Sequence, residues 1–151
     1  MRLLRSACLV AEKGDQLLLG RVRQNEHWYL PGGKIEEGES PQQALQRKLM
    51  EELGISVDPK SVRYLYTVHG PAYDRPRDVE LVCFSAQWKN SPCPLGEISD
   101  VQWLHRREQA KFAPAVQVLC SEFLRERESN HSIEGTDTGK PVSAHVKRSA
   151  P

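Results

Sequence analysis

Apolar residues in this chain gather into short runs separated by polar turns, with two stretches that repeat at helical spacing. Leu3 to Ala11 is largely apolar, which predicts a buried strand. Lys13-Gly14-Asp15 supplies a turn, and Gln16 to Val22 reads as the returning strand of a hairpin. His27-Trp28-Tyr29-Leu30 is a short apolar stretch closed by Pro31-Gly32-Gly33. Ser40 to Leu53 predicts a helix: Ser40 suits the N-cap, Pro41 the first helical position, and Gln43 completes a capping box. Leu45, Leu49 and Leu53 form one apolar stripe on it, and Gly54 is placed to end it.

Further along, Val62, Tyr64, Tyr66 and Val68 alternate with Arg63, Leu65 and Thr67, the pattern of a strand. A polar loop follows through Arg77, and then Val79 to Trp88 predicts another strand. Asp100 to Leu104 predicts a short one. Ala115, Val118, Leu119 and Phe123 carry helical spacing, so a second helix is expected over Ala113 to Arg127. From Glu128 the chain turns to Ser, Thr, Gly, Lys and Pro, a composition that buries too little to offset its ordering entropy. The expected organisation is one domain over residues 1 to 127 and a disordered tail over 128 to 151. Strands, helix, strands, helix in that order points to a mixed sheet between helices, an α/β/α sandwich.

Composition narrows the function classes. The chain has 151 residues, 21 basic and 20 acidic, so its net charge of +1 makes no general case for nucleic acid or a membrane surface. Its N-terminus, Met1-Arg2-Leu3-Leu4-Arg5, has no apolar run of signal-peptide length, and a cytoplasmic setting is the expectation. Cys8, Cys83, Cys93 and Cys120 form no C-x-x-C pair and are expected as free thiols, mostly buried.

The segment that carries chemistry runs from Gly33 to Ile55, a glycine-rich bend feeding the capped helix with Glu51 and Glu52 beside its apolar stripe. Adjacent helical residues point about 100° apart, so these two carboxylates can flank one cation. A lone Glu-Glu pair on a helix is more often a solvated face. The spacing here is more specific. It resembles the Nudix box, G-x5-E-x7-R-E-U-x-E-E-x-G-U with U aliphatic, at Gly33, Glu39, Arg47, Leu49, Glu51, Glu52, Gly54 and Ile55, and Trp28 to Gly32 resembles the lead-in. The likeness is to MutT-type members and extends over about residues 3 to 127.

That resemblance implies the Nudix α/β/α sandwich and a Mg²⁺-dependent pyrophosphohydrolase, Mn²⁺ being the substitute ion, that cleaves a phosphoanhydride of a nucleoside di- or triphosphate or related derivative. It implies Glu51 and Glu52 as metal ligands and catalytic residues, the Gly32 carbonyl as a third ligand, and Glu97 as a fourth, with Asp100 competing for that place. Arg47 and Glu39 become a structural ion pair. Lys48 is the departure, because the family carries a glutamate there for the metal cluster or for activating water. An ammonium neither binds Mg²⁺ nor acts as a base. Lys48 lies three and four residues before Glu51 and Glu52, so it can pair with either and partly take the cation's place. Weakened catalysis is the expectation, and the alternative is a non-catalytic nucleotide-binding module.

Substrate signals are sparser. Phe112 to Val116 resembles the segment that MutT-type proteins place near the base, but Val116 stands where recognition of oxidised guanine would need an amide. Arg21, Arg23, Lys34, Tyr73, Arg75 and Arg77 are candidates to grip phosphates or a base, with ordinary surface residues as the competing reading. The expected partner is a small nucleotide, without membrane or nucleic acid, on a monomer or homodimer. An RNA-end hydrolase shares the box but lacks the basic, aromatic stripe expected of it.

Overall fold

The computed structural model describes residues 4–23, 25–71 and 78–124. Strands β1 (Leu4–Leu9), β2 (Glu12–Lys13), β3 (Gln16–Val22), β4 (Trp28–Tyr29) and β5 (Gly32–Lys34) precede helix α1 (Pro41–Leu53). After it come β6 (Ser56–Val57), β7 (Arg63–Pro71), β8 (Asp78–Ser85), β9 (Trp88–Lys89), β10 (Ile98–His105) and α2 (Pro114–Leu119), which runs into a π-helical turn at Cys120–Leu124.

One sheet has the order β5-β1-β8-β7 and is mixed, because β1 and β8 run parallel while the outer pairs are antiparallel. A second places β3 between β10 and β2, with β4 also on β3, and β6 pairs with β9. Alternation along the strands feeds two separate cores. Ala7 and Leu9, Leu18, and Val82 and Phe84 pack with Leu45, Leu49 and Leu53 of α1. Cys8 and Val10, Leu17 and Leu19, and Leu81 and Cys83 pack with Val116, Leu119 and Leu124. Residues that differ by one position thus serve opposite helices, which is why these runs are apolar without a break. The α/β/α sandwich read from the sequence is the observed fold.

Several boundaries differ from the sequence expectation. The stretch expected as one strand from Val79 to Trp88 divides at Ala86-Gln87, where Gln87 bonds Ser61 and Asp58 instead of continuing the ladder. The last strand is longer than Asp100 to Leu104, and a bulge between Ile98 and Asp100 hides its true start from any period-two pattern. A second irregularity between Tyr64 and Tyr66 lets adjacent Leu65 and Tyr66 both be buried. The second helix is α-helical only through Leu119; Ser121 Oγ bonds back to the Val118 carbonyl, a contact that loosens helical geometry. Cys8, Cys83 and Cys120 are buried free thiols, whereas Cys93 is exposed. The tail expected from residue 128 lies outside the described residues.

Candidate active site

Helix α1 carries the site, and its ends are fixed locally. Ser40 Oγ accepts from the Gln43 N–H at 3.1 Å, and the Gln43 side chain accepts from the Ser40 N–H at 2.9 Å. Gly54 closes the helix with φ 66°. The loop before β10 then folds over that end: the Cys93 and Leu95 N–H groups donate to the Leu53 and Glu52 carbonyls at 3.0 and 2.9 Å. Backbone groups left open at the helix terminus are thereby satisfied.

Burying Ala44, Leu45, Leu49 and Leu53 turns Arg47, Lys48, Glu51 and Glu52 away from the core. Arg47 grips Glu39 through Nε and through Nη2, the latter at 2.9 Å, and Nη2 also reaches the Lys34 carbonyl at 3.2 Å. Two parallel N–H bonds make this a fork-to-fork pair. Together with the Glu36 N–H, the guanidinium holds the Glu39 carboxyl down to about 2. The pair therefore clamps the β5–α1 loop onto the helix.

Lys48 sends Nζ to 3.1 Å from Glu52 Oε2 and 3.8 Å from Glu51 Oε1. Its stem runs along Gly33: a Cβ at position 33 would come within 2.4 Å of Lys48 Cε. Arg47 Nη1 also reaches Glu51 Oε1, at 3.4 Å. Glu52 is the more enclosed carboxylate and is hydrogen-bonded by the Gly32 N–H. Burial pushes its carboxyl up, while Lys48 and that N–H pull it back. Gly32 itself has φ 132°, and a Cβ there would strike the Ala7 carbonyl, so no other residue fits so close to β1.

Glu52, Gly32 and Gly33 stand at the wall of a cavity of about 240 Å³. The remaining wall is mainly apolar and includes Leu30, Leu81, Ile98, Ala115 and Val116. Val116 is thus placed where a ligand in the cavity would meet it. Phe112 is not on that wall; it is fully buried in the core. Arg21 and Arg23 lie in a separate open depression with Asn25, Glu26 and Ser99, and Arg21 sits 5.4 Å over the Trp28 ring. Lys34 is exposed. Tyr73, Arg75 and Arg77 lie outside the described residues. The sequence reading missed Ser6, Cys8 and Tyr29, which also line the cavity. Strand alternation groups Ser6 with Cys8, but nothing local says that their face borders a cavity.

The residues do not, as arranged, fit the Mg²⁺ centre that the resemblance implies. The Lys48 ammonium lies against the two carboxylates that would hold the ion. Glu97 is exposed, and among the described residues no group of three or more His, Cys, Asp or Glu is gathered to hold a metal. Asp100 is engaged by the Gln102 amide at 3.0 Å.

Comparison with known proteins bears on the family and the fold. The NUDIX domain family matches residues 1–119. The 8-oxo-dGTP diphosphatase of Proteus vulgaris is 36% identical over 91 residues, spanning 56% of this chain and 77% of that protein. An RNA pyrophosphohydrolase of Francisella tularensis subsp. mediasiatica is 27% identical over 88 residues, 58% of this chain and 44% of that protein, so the chain spans less than half of this relative's length. The solution structure of the E. coli ORF135 protein superposes with a TM-score of 0.65 at 26% identity, covering 85% of this chain and 94% of that one. With a family match over most of its length, the chain belongs to the NUDIX domain family.

Proposed function

We propose that this protein is a pyrophosphohydrolase that cleaves a phosphoanhydride of a nucleoside di- or triphosphate or a related nucleotide derivative, with turnover held low by Lys48. The observation that carries the reading is the cavity of about 240 Å³ whose wall includes Glu52 and Gly32, next to the helix that bears the family's motif. A largely apolar cavity suits a flat base or similar group, and the motif helix at its edge is where a diphosphate would lie. The activities named for the two relatives, 8-oxo-dGTP diphosphatase and RNA pyrophosphohydrolase, both open a phosphoanhydride and support this class of reaction. Mg²⁺ is the cofactor the family implies, with Mn²⁺ as substitute. Gly32, Glu51, Glu52 and Glu97 are the ligands proposed for it only in an arrangement where Lys48 has left its present partners.

The second reading, a nucleotide-binding module without turnover, is favoured by the Lys48–Glu52 ion pair at 3.1 Å. A panel separates the two. Nucleoside triphosphates and diphosphates, nucleotide sugars, dinucleoside polyphosphates and 5′-triphosphorylated RNA are incubated with the full chain and Mg²⁺, products are separated by chromatography, and binding is followed by calorimetry. Slow, Mg²⁺-dependent release of a monophosphate or pyrophosphate is the expected result. Calorimetric binding of a nucleotide with no product from any substrate would overturn the hydrolase in favour of the module.

A further inference from the structure

We infer that Lys48 is the resident cation of the Glu51–Glu52 pair, and that this ammonium and a divalent metal ion exclude each other there. The inference deepens the hydrolase reading, which supplies the reason for a metal ion to compete, but it stands on the folded chain's own geometry.

Position is the first support. Nζ lies 3.1 Å from Glu52 Oε2 and 3.8 Å from Glu51 Oε1, between the two acids. A Mg²⁺ ion takes oxygen ligands at about 2.0–2.1 Å, so an ion sharing the Glu52 oxygen would stand within about 5 Å of the ammonium. Like charges at that separation, beside a partly buried carboxylate, repel. The second support is the berth of the side chain. A surface lysine ordinarily swings through many rotamers, whereas Lys48 is only 24% exposed. Its stem is laid along Gly33, where Cε, Cδ and Cγ come within 2.4, 3.2 and 3.3 Å of the point a Cβ would occupy. Gly33 leaves this groove open, and fully buried Leu49 fixes the adjacent turn of the helix.

Charge balance is the third. Glu51 already meets Arg47 Nη1 at 3.4 Å as well as Lys48, and Glu52 meets Lys48 and the Gly32 N–H. Two carboxylates that would repel each other are therefore partly compensated, by the Lys48 ammonium and by a guanidinium that Glu51 shares with Glu39. A divalent ion must displace the ammonium before it can bind, and its apparent affinity is the intrinsic affinity multiplied by the fraction of time that Lys48 is away.

The test is a Mn²⁺ titration of the full chain without nucleotide, following free Mn²⁺ by electron paramagnetic resonance. Wild type, Lys48→Met and Lys48→Arg are compared. Lys48→Met keeps an apolar stem and removes the charge, and it should tighten Mn²⁺ binding by about tenfold or more. Lys48→Arg keeps a cation and should stay as weak as wild type. Lys48→Gln gives the same readout if the methionine variant does not fold. Equal Mn²⁺ affinity in wild type and the uncharged variants would overturn the inference. It would leave the hydrolase reading intact, because no turnover enters the measurement; a chain that hydrolyses nothing would in turn leave this result standing.

Discussion

Arg47 and Lys48 are neighbours on one helix, yet they handle their carboxylates in opposite ways. Arg47 presents a planar fork to Glu39, and hydrogen bonding from it and from the Glu36 N–H outweighs desolvation, so the Glu39 carboxyl is held down to about 2. Lys48 presents a point charge to Glu52 at 3.1 Å, and desolvation still wins, leaving that carboxyl raised. The Arg47 guanidinium is itself held further toward its charged form by Glu39. One pair sits on a partly open loop and locks geometry; the other sits at a cavity wall and compensates charge. A close ion pair therefore says little about its role until burial and donor geometry are weighed.

The sharpest way to break this comparison is Lys48→Glu. It replaces one positive charge with a negative one and restores the family's residue, while the Arg47–Glu39 clamp is untouched. Steady-state hydrolysis of the best panel substrate at saturating Mg²⁺ should rise by about tenfold or more, since a lost general base is worth about 10²–10⁴-fold in rate. Metal-free thermal stability should fall slightly, as three carboxylates then crowd one helix face. Equal rates in the two forms would mean that proton transfer does not pass through position 48.

Leu49→Ala strikes both groups at once. Leu49 is fully buried in the core beneath α1. Its truncation should cost about 2–5 kcal/mol, read as a loss of denaturant midpoint in urea unfolding. The two ionic groups share this footing, so the Lys48 berth and the order of the β5–α1 loop should loosen together. A change below about 1 kcal/mol would show that the helix relaxes into the vacated space.

How much of this was legible beforehand follows from the range of each interaction. Ser40, Pro41 and Gln43 announce the start of α1 because a cap is settled within one turn, and Arg47–Glu39 is legible through its motif spacing. The ion pair of Lys48 with its two glutamates was visible as i+3 and i+4 spacing. The groove under its stem was not, because Gly33 comes from strand β5 and no local pattern places it there. The bulges at Tyr64–Tyr66 and Ile98–Asp100 shift the register by one residue, which defeats any count of alternation. Phe112 read as a candidate substrate contact because its neighbours resemble a ligand-lining segment; the structure bridges it to Trp28 and buries it fully in the core.

The smallest expected effect tests the clamp through pH. Glu39 ordinarily titrates near 4.5 and in the folded chain near 2, so the folded state takes up this proton later than the unfolded chain does. Above pH 4.5 both states are ionised at this position and the Arg47 contact contributes in full. As pH falls from 4.5 toward about 2 the unfolded chain protonates first, and the contribution is progressively lost. Glu39→Gln keeps the shape but accepts the guanidinium without charge, so its melting temperature should lie a few degrees below wild type at neutral pH. The gap should close through that acid window, and the loss should persist at high salt less than at low salt, because the pair is partly exposed. The melting temperatures of both forms, measured across the window, decide the matter. A gap that stays constant down to about pH 2 would mean that Glu39 acts by shape and not by charge, and the contrast between the two cations of α1 would then rest on Lys48 alone.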